Sequence, residues 1–191
     1  MDTKDGIFFS PKIRMQELNL DKDTLIAAFE DRIKGYYLDP IKSLNDNAHA
    51  FAAGILEFAL IDALARYYYD TKGLLGIANR VRVRMKKMLK LIFPEINRKI
   101  ANNAYYDFRN GLLHESRIKN CGQFSYLHPS PFVLFGKYLK INTLIVHVRL
   151  EKFFNDYIDD LNNNKEQRYD TFFKLFKKDF EKEIKMSKKV Q

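Results

Sequence analysis

With 191 residues and 46% hydrophobic content, the chain can bury the core of a single domain. A charged fraction of 30%, with only 8 Gly and 5 Pro, excludes wholesale disorder. A net charge of +9 favours an anionic partner, and the lone Cys121 excludes an internal disulfide and points to a reducing, cytoplasmic setting.

Residues 1–20 show little periodicity and read as an arm or loops, with no apolar leader at the start. Asp23 is expected to cap a helix that turns Leu25, Ile26, Phe29 and Ile33 to one side and ends at Gly35 and Asp39-Pro40. A long helix is expected over residues 46–69, with Ala48, Ala52, Ile55, Ala59, Leu60 and Leu64 available for packing. Its stretch 48–65 approaches the length of a bilayer span. Glu57 and Asp62 in its middle argue instead for a helix buried in a bundle, with no membrane partner. Both carboxylates then need partners, for which Arg66 and Arg109 are the candidates.

Gly73 and Gly76 mark a break. A basic amphipathic helix over 78–92 follows, with Val81, Met85, Met88 and Ile92 on one face and Arg80, Arg84 and Lys87 beside it. Pro94 is expected in the first turn of a further helix carrying Ile96, Ile100, Ala104 and Phe108. Residues 116–131 read as loop. Residues 132–135 and 138–141, joined by Gly136-Lys137, read as a β-hairpin. Asn142 is expected to cap a helix to about residue 161, and Asp170 a last one over 170–184 that packs Phe172, Phe173, Phe176 and Phe180. The fold class is therefore all-α: one domain over 1–191, a helical bundle with a core over 23–162, a small hairpin insert and an extra C-terminal helix.

The chemistry concentrates at 105–118, where Arg109, Asn110 and His114 come together near the end of a helix. Arg forks onto phosphate oxygens and His moves protons near neutral pH. The other three His have no Arg five residues before them. Residues 80–119 hold eleven Lys or Arg against three acids, a local +8 that would concentrate a polyanion. Arg80, Arg84, Lys87, Arg117 and Lys119 are the candidate RNA contacts. Asn110 and His114 are four apart and share a helix face. Gly111 between them would permit close approach by a ligand or another helix. On RNA, His114 could take the 2′-hydroxyl proton or protonate the leaving oxygen, while Arg109 neutralises phosphoryl charge and Asn110 orients the phosphate or the imidazole. No metal-site spacing or cofactor motif accompanies them. One His is little equipment for two proton transfers, so a homodimer with the cluster at its seam is expected.

Arg109-Asn110-Gly-Leu-Leu-His114, preceded by Tyr106-Asp107-Phe108 and followed by Glu115, resembles the Arg-x(4–6)-His motif of the HEPN superfamily. The resemblance covers the helical core and leaves the 132–141 hairpin and last helix unexplained. It implies a dimeric, metal-independent ribonuclease with a toxin or phage-defence role. Arg109 and His114 would be the catalytic pair, Asn110 the supporting residue, and an antitoxin or regulator a further partner; Glu57 and Asp62, by their place on a buried helix rather than by the resemblance, are the candidate supporting carboxylates that position the arginine. HEPN toxins paired with a nucleotidyltransferase antitoxin carry Tyr two residues after the His, whereas Ser116 stands here. Two other readings stand beside this one: a non-catalytic RNA- or nucleotide-binding HEPN-like regulator or adaptor, and a helical interaction module in which Arg109 and His114 only cap a helix.

Overall fold

The computed structural model describes residues 7–69, 77–165 and 168–188, with residues 77–80 as backbone alone. The chain is mostly helical with a small three-stranded sheet. None of its described helices is long and apolar enough to cross a membrane. It forms two compact units, Met1–Asp39 with Phe154–Gln191 and Pro40–Phe153.

In the first unit, Phe8 bridges to Arg14 and a 3₁₀ turn spans Met15–Glu17, so the expected N-terminal arm has defined structure, with Phe9 fully buried. α1 is Lys22–Ile33. Its cap is Asp21 rather than Asp23, because the Asp21 carboxylate accepts the Thr24 amide at 3.0 Å. Nor does Gly35 end the helix: a π-helical turn, Lys34–Leu38, carries the chain on, and Gly35 packs against the Pro11 ring. The last helix, α8 (Arg168–Ser187), starts two residues before Asp170, which sits in its first turn. Phe172 and Phe176 are fully buried there, and Phe173 and Phe180 partly so. Ring contacts of Phe9 with Phe176 (5.4 Å) and of Phe29 with Phe172 (4.9 Å) build this core. Each buried Phe is worth roughly 1.5–3 kcal/mol.

α2 (Asp39–Asp46) follows the π turn without a break, so Asp39-Pro40 does not end the helix either, and the second unit begins at Pro40 within it. The expected 46–69 helix is broken: Ala48 takes φ 59°, and α3 runs Ala50–Tyr68. The packing face of α3 also differs from the expected one. Ala53, Phe58, Leu60, Ile61, Leu64 and Ala65 are buried, whereas Ala48 is exposed and Ala52, Ile55 and Ala59 are only partly covered. α4 (Ile77–Ile92) buries Met85, Met88, Leu89 and Ile92, close to expectation. The Gly73–Gly76 break and the Arg80 side chain lie outside the described residues.

Pro94 sits in a turn, not in a helix. α5 (Arg98–Asn103) begins after Asn97, whose side chain accepts the Ile100 amide at 2.9 Å. A π-helical turn, Ala104–Arg109, follows, and α6 (Asn110–Glu115) completes the segment. The hairpin forms as expected, β2 (Phe132–Phe135) antiparallel to β3 (Tyr138–Ile141), with Gly136 at φ 59° in the turn. The expected loop before it contributes a strand, β1 (Gln123–Phe124), parallel to β3, so the sheet order is β1-β3-β2. α7 (Thr143–Asn162) is capped by Asn142, which accepts the Leu144 amide at 3.1 Å. A stack of Phe58 on Phe108 (5.8 Å) and an edge contact of Phe108 with Phe124 (5.2 Å) join α3, the π turn and β1.

Candidate functional site

The site begins with the π turn. The Asn110 amide bonds the Tyr105 carbonyl five residues back, and the extra residue in that turn rotates everything beyond it. Tyr105, Asp107, Phe108 and Leu112 therefore face inward, while Tyr106, Leu113 and His114 are exposed. Turns of this kind often mark functional positions in helices.

Arg109 is held by α3. Its Nε and Nη2 both donate to Asp62 Oδ2, at 3.1 and 2.5 Å, and both side chains are largely buried (14% and 19% exposed). Its Nη1 donates to Asn110 Oδ1 at 3.1 Å and lies 3.1 Å from His114 Nε2. The guanidinium also sits 5.9 Å from the centre of the Tyr105 ring. Arg109, Asn110 and His114 thus form one cluster. Arginine has no acceptor, so this contact is a hydrogen bond in the tautomer whose lone pair lies on His114 Nε2. Four of the five guanidinium hydrogens are engaged, leaving one on Nη2.

The end of α6 sets the position of His114. Ser116 adopts φ 54°, and the Ser116 and Arg117 amides both bond the Gly111 carbonyl. The position where Tyr would stand in antitoxin-paired HEPN proteins is thus the left-handed residue that reverses the chain. The space beside Gly111 is filled by the same reversal: an added Cβ would collide with the Arg117 carbonyl oxygen. The notch expected to admit a ligand or a second helix is occupied by the chain itself. Gly→Ala inside a helix ordinarily gains about 1 kcal/mol. Gly111→Ala is instead expected to destabilise the fold by about 1–3 kcal/mol in chemical denaturation, because the overpacked backbone must shift. Asp107 pins the same loop through Asn120 (2.7 Å), and burial pushes its carboxyl above the ordinary range.

The two carboxylates of α3 have different fates. Asp62 is the arginine anchor. Glu57, five residues earlier, is fully buried with no hydrogen-bond partner on either oxygen. Desolvation drives its pKa well above the ordinary 4.5; the Asn45 side chain opposes this from outside hydrogen-bonding geometry and does not prevail.

Among the expected phosphate contacts, Lys87 is exposed, with Nζ 6.0 Å from the Tyr69 ring, and Arg84 is half-buried. Arg117 and Lys119 both pair with Glu115, at 2.8 Å for Arg117, and hydrogen bonding from Lys119 holds the Glu115 carboxyl low. Such surface pairs are screened by solvent and yield readily to a phosphate. Sequence reasoning missed Arg82, which donates to the Tyr106 hydroxyl at 2.7 Å and ties the basic helix to the motif segment. The signal was Tyr106, four residues before Asn110 on the exposed side. Among the described residues, no group of three or more His, Cys, Asp or Glu is placed to hold a metal ion.

Compared with family models, curated proteins and solved structures, the chain matches none of them.

Proposed function

We propose that the protein is a metal-independent RNA endonuclease of HEPN type, acting as a homodimer in a toxin or phage-defence role. The observation that carries this reading is the Arg109–His114 contact, fixed from behind by Asp62. A phosphodiester arriving at the cluster draws the Nη1 hydrogens onto its non-bridging oxygens. That releases the Nε2 lone pair, which takes the 2′-hydroxyl proton. The 2′-oxygen bonds to phosphorus, the bond to the 5′-oxygen breaks, and a cyclic phosphate and a 5′-hydroxyl result. Arg109 offsets the charge that grows on the phosphoryl oxygens.

The leaving oxygen needs a proton, and His114 of a second copy, in its imidazolium form and turned from its own Arg109, is the source. Tyr106 (43% exposed) and Leu113 (39%) flank the cluster with apolar surface suited to that seam. Purified protein incubated with mixed cellular RNA in EDTA is expected to leave cyclic phosphate ends. RNA retained at low salt without cleavage would favour the non-catalytic binding module. Removing Arg80, Arg84 and Lys87 together is expected to weaken RNA binding and flatten its salt dependence, by about one unit of log–log slope for each phosphate no longer neutralised, without changing the chemical step. An unchanged slope would remove that helix from the interface.

A further inference from the structure

The hairpin has an unusual solvent face. Cross-strand partners share a face, so the register puts Phe132, Ile141, Leu134 and Leu139 on one side and Val133, Lys140, Phe135 and Tyr138 on the other. The first side packs inward: Phe132, Ile141 and Leu139 are buried, and Phe132 meets Phe93 at 4.9 Å. The second side faces solvent, where a one-sided antiparallel sheet ordinarily shows polar residues. Here Phe135 is 54% and Tyr138 49% exposed, directly opposite one another. Lys140 Nζ lies 4.6 Å from the Phe135 ring centre, and β1 adds Gln123, paired with Lys140, to the same face. Charge points to the occupant. Residues 116–150 contain five Lys or Arg and no acidic residue; Arg117 and Lys119 pair with Glu115 and Arg149 with Glu95, which leaves Lys137 and Lys140 as the cations of the hairpin itself.

Paired exposed aromatics, a flanking ammonium and a hairpin that carries two Lys and no acid match an unpaired polynucleotide: bases stack on the rings and phosphates meet the cations. We propose that this outer sheet face is a stacking platform for single-stranded RNA, in which Phe135 and Tyr138 each hold a base, Lys140 a phosphate, and Gln123 a base edge. The assignment rests on the ribonuclease reading and extends it to the substrate class, unpaired rather than duplex RNA. β1 and α3 connect the platform to the anchor of the cluster. Phe124 of β1 seats its ring on Gly54 of α3, and Asp62 lies two turns along that helix. Summed over strand spacing, strand rise and helix rise, the path through these elements is at most roughly 35 Å, about ten stacked nucleotides.

The chain has no Trp, so Phe135→Trp supplies a single fluorophore at the platform. In the full-length protein its emission is expected to be quenched by a twelve-nucleotide oligouridylate or oligoadenylate, and much less by duplex RNA of equal length. Phe135→Ala with Tyr138→Ala is expected to weaken twelve-nucleotide binding by about five- to 150-fold for each stack removed, leave the thermal melt unchanged, and leave cleavage of a four-nucleotide substrate unaltered. Phe135→Tyr should restore binding. Quenching without any cleavage would keep the platform and overturn the ribonuclease. Cleavage of the long oligonucleotide with no quench and undiminished affinity in the double variant would overturn the platform alone. Equal quenching by duplex RNA, a response only to anionic vesicles, or a response to protein concentration alone would also overturn it, in favour of a duplex, a membrane surface or a second copy.

Discussion

His114→Ala is expected to lower RNA cleavage by about 10²–10⁴-fold, the usual worth of a positioned acid–base group, while RNA affinity stays nearly unchanged. His114 is exposed and, among the described residues, its one close polar contact is with Arg109, whose Nη1 still donates to Asn110 without it, so the fold should be undisturbed. Arg109→Ala should reduce both binding and turnover, because a hydrogen bond from a charged donor is worth about 1.5–3 kcal/mol, or roughly ten- to a hundredfold. Arg109→Lys should not rescue: one ammonium cannot bond Asp62 while also reaching Asn110 and His114. Asp62→Asn tests the anchor. It keeps the shape and loses the charge that aims the guanidinium, so kcat is expected to fall more than KM rises. Single-turnover cleavage of one oligonucleotide with end-group analysis measures all four. Wild-type rates from His114→Ala would end the catalytic assignment of the motif.

Glu57→Gln is expected to stabilise the protein at pH 8 by about 1–3 kcal/mol, the scale of an unsatisfied buried polar group, and to do little at pH 4. The sign follows from linkage. Burial raises the native pKa of Glu57 above its ordinary 4.5, so the native state binds this proton more tightly than the unfolded chain. Below 4.5 the group is protonated in both states and costs little. As pH climbs from 4.5 toward the raised native value, the unfolded chain ionises first and stability falls. Gln stays neutral throughout, so that decline should disappear. Glu57→Leu should act in the same direction, since α3 is apolar around this position. Denaturant titrations of wild type and Glu57→Gln from pH 4 to 8 would show the two curves diverging upward in pH. Parallel curves would mean that Glu57 finds a partner in solution.

How far the chain announced its own structure depended on the range of the interactions. The 132–141 hairpin, the Asn142 cap and the packing face of α4 rest on neighbours in sequence, and each formed as its residues require. The errors share a cause. Asp21 over Asp23, the break at Ala48 and the passage through Gly35 depend on which of several adequate local signals the packing selects. The two π turns follow no 3.6-residue pattern that spacing could reveal. β1 is two residues long and exists only because β3 offers an edge.

The spacing of Arg109, Asn110 and His114 sufficed to put them on one helix end, because residues four apart on a helix must be neighbours. Their chemistry was decided elsewhere. Arg109 is aimed by a carboxylate 47 residues away, and nothing in the order of residues made Asp62 its partner rather than Glu57. Nor could Gly111 declare whether its missing side chain made room for a ligand or for the chain's own reversal. Local spacing settles what a helix must bring together through its own geometry. Long-range pairing, the direction of a side chain beyond a π turn and the burial of a charge emerge only when distant segments compete for the same space.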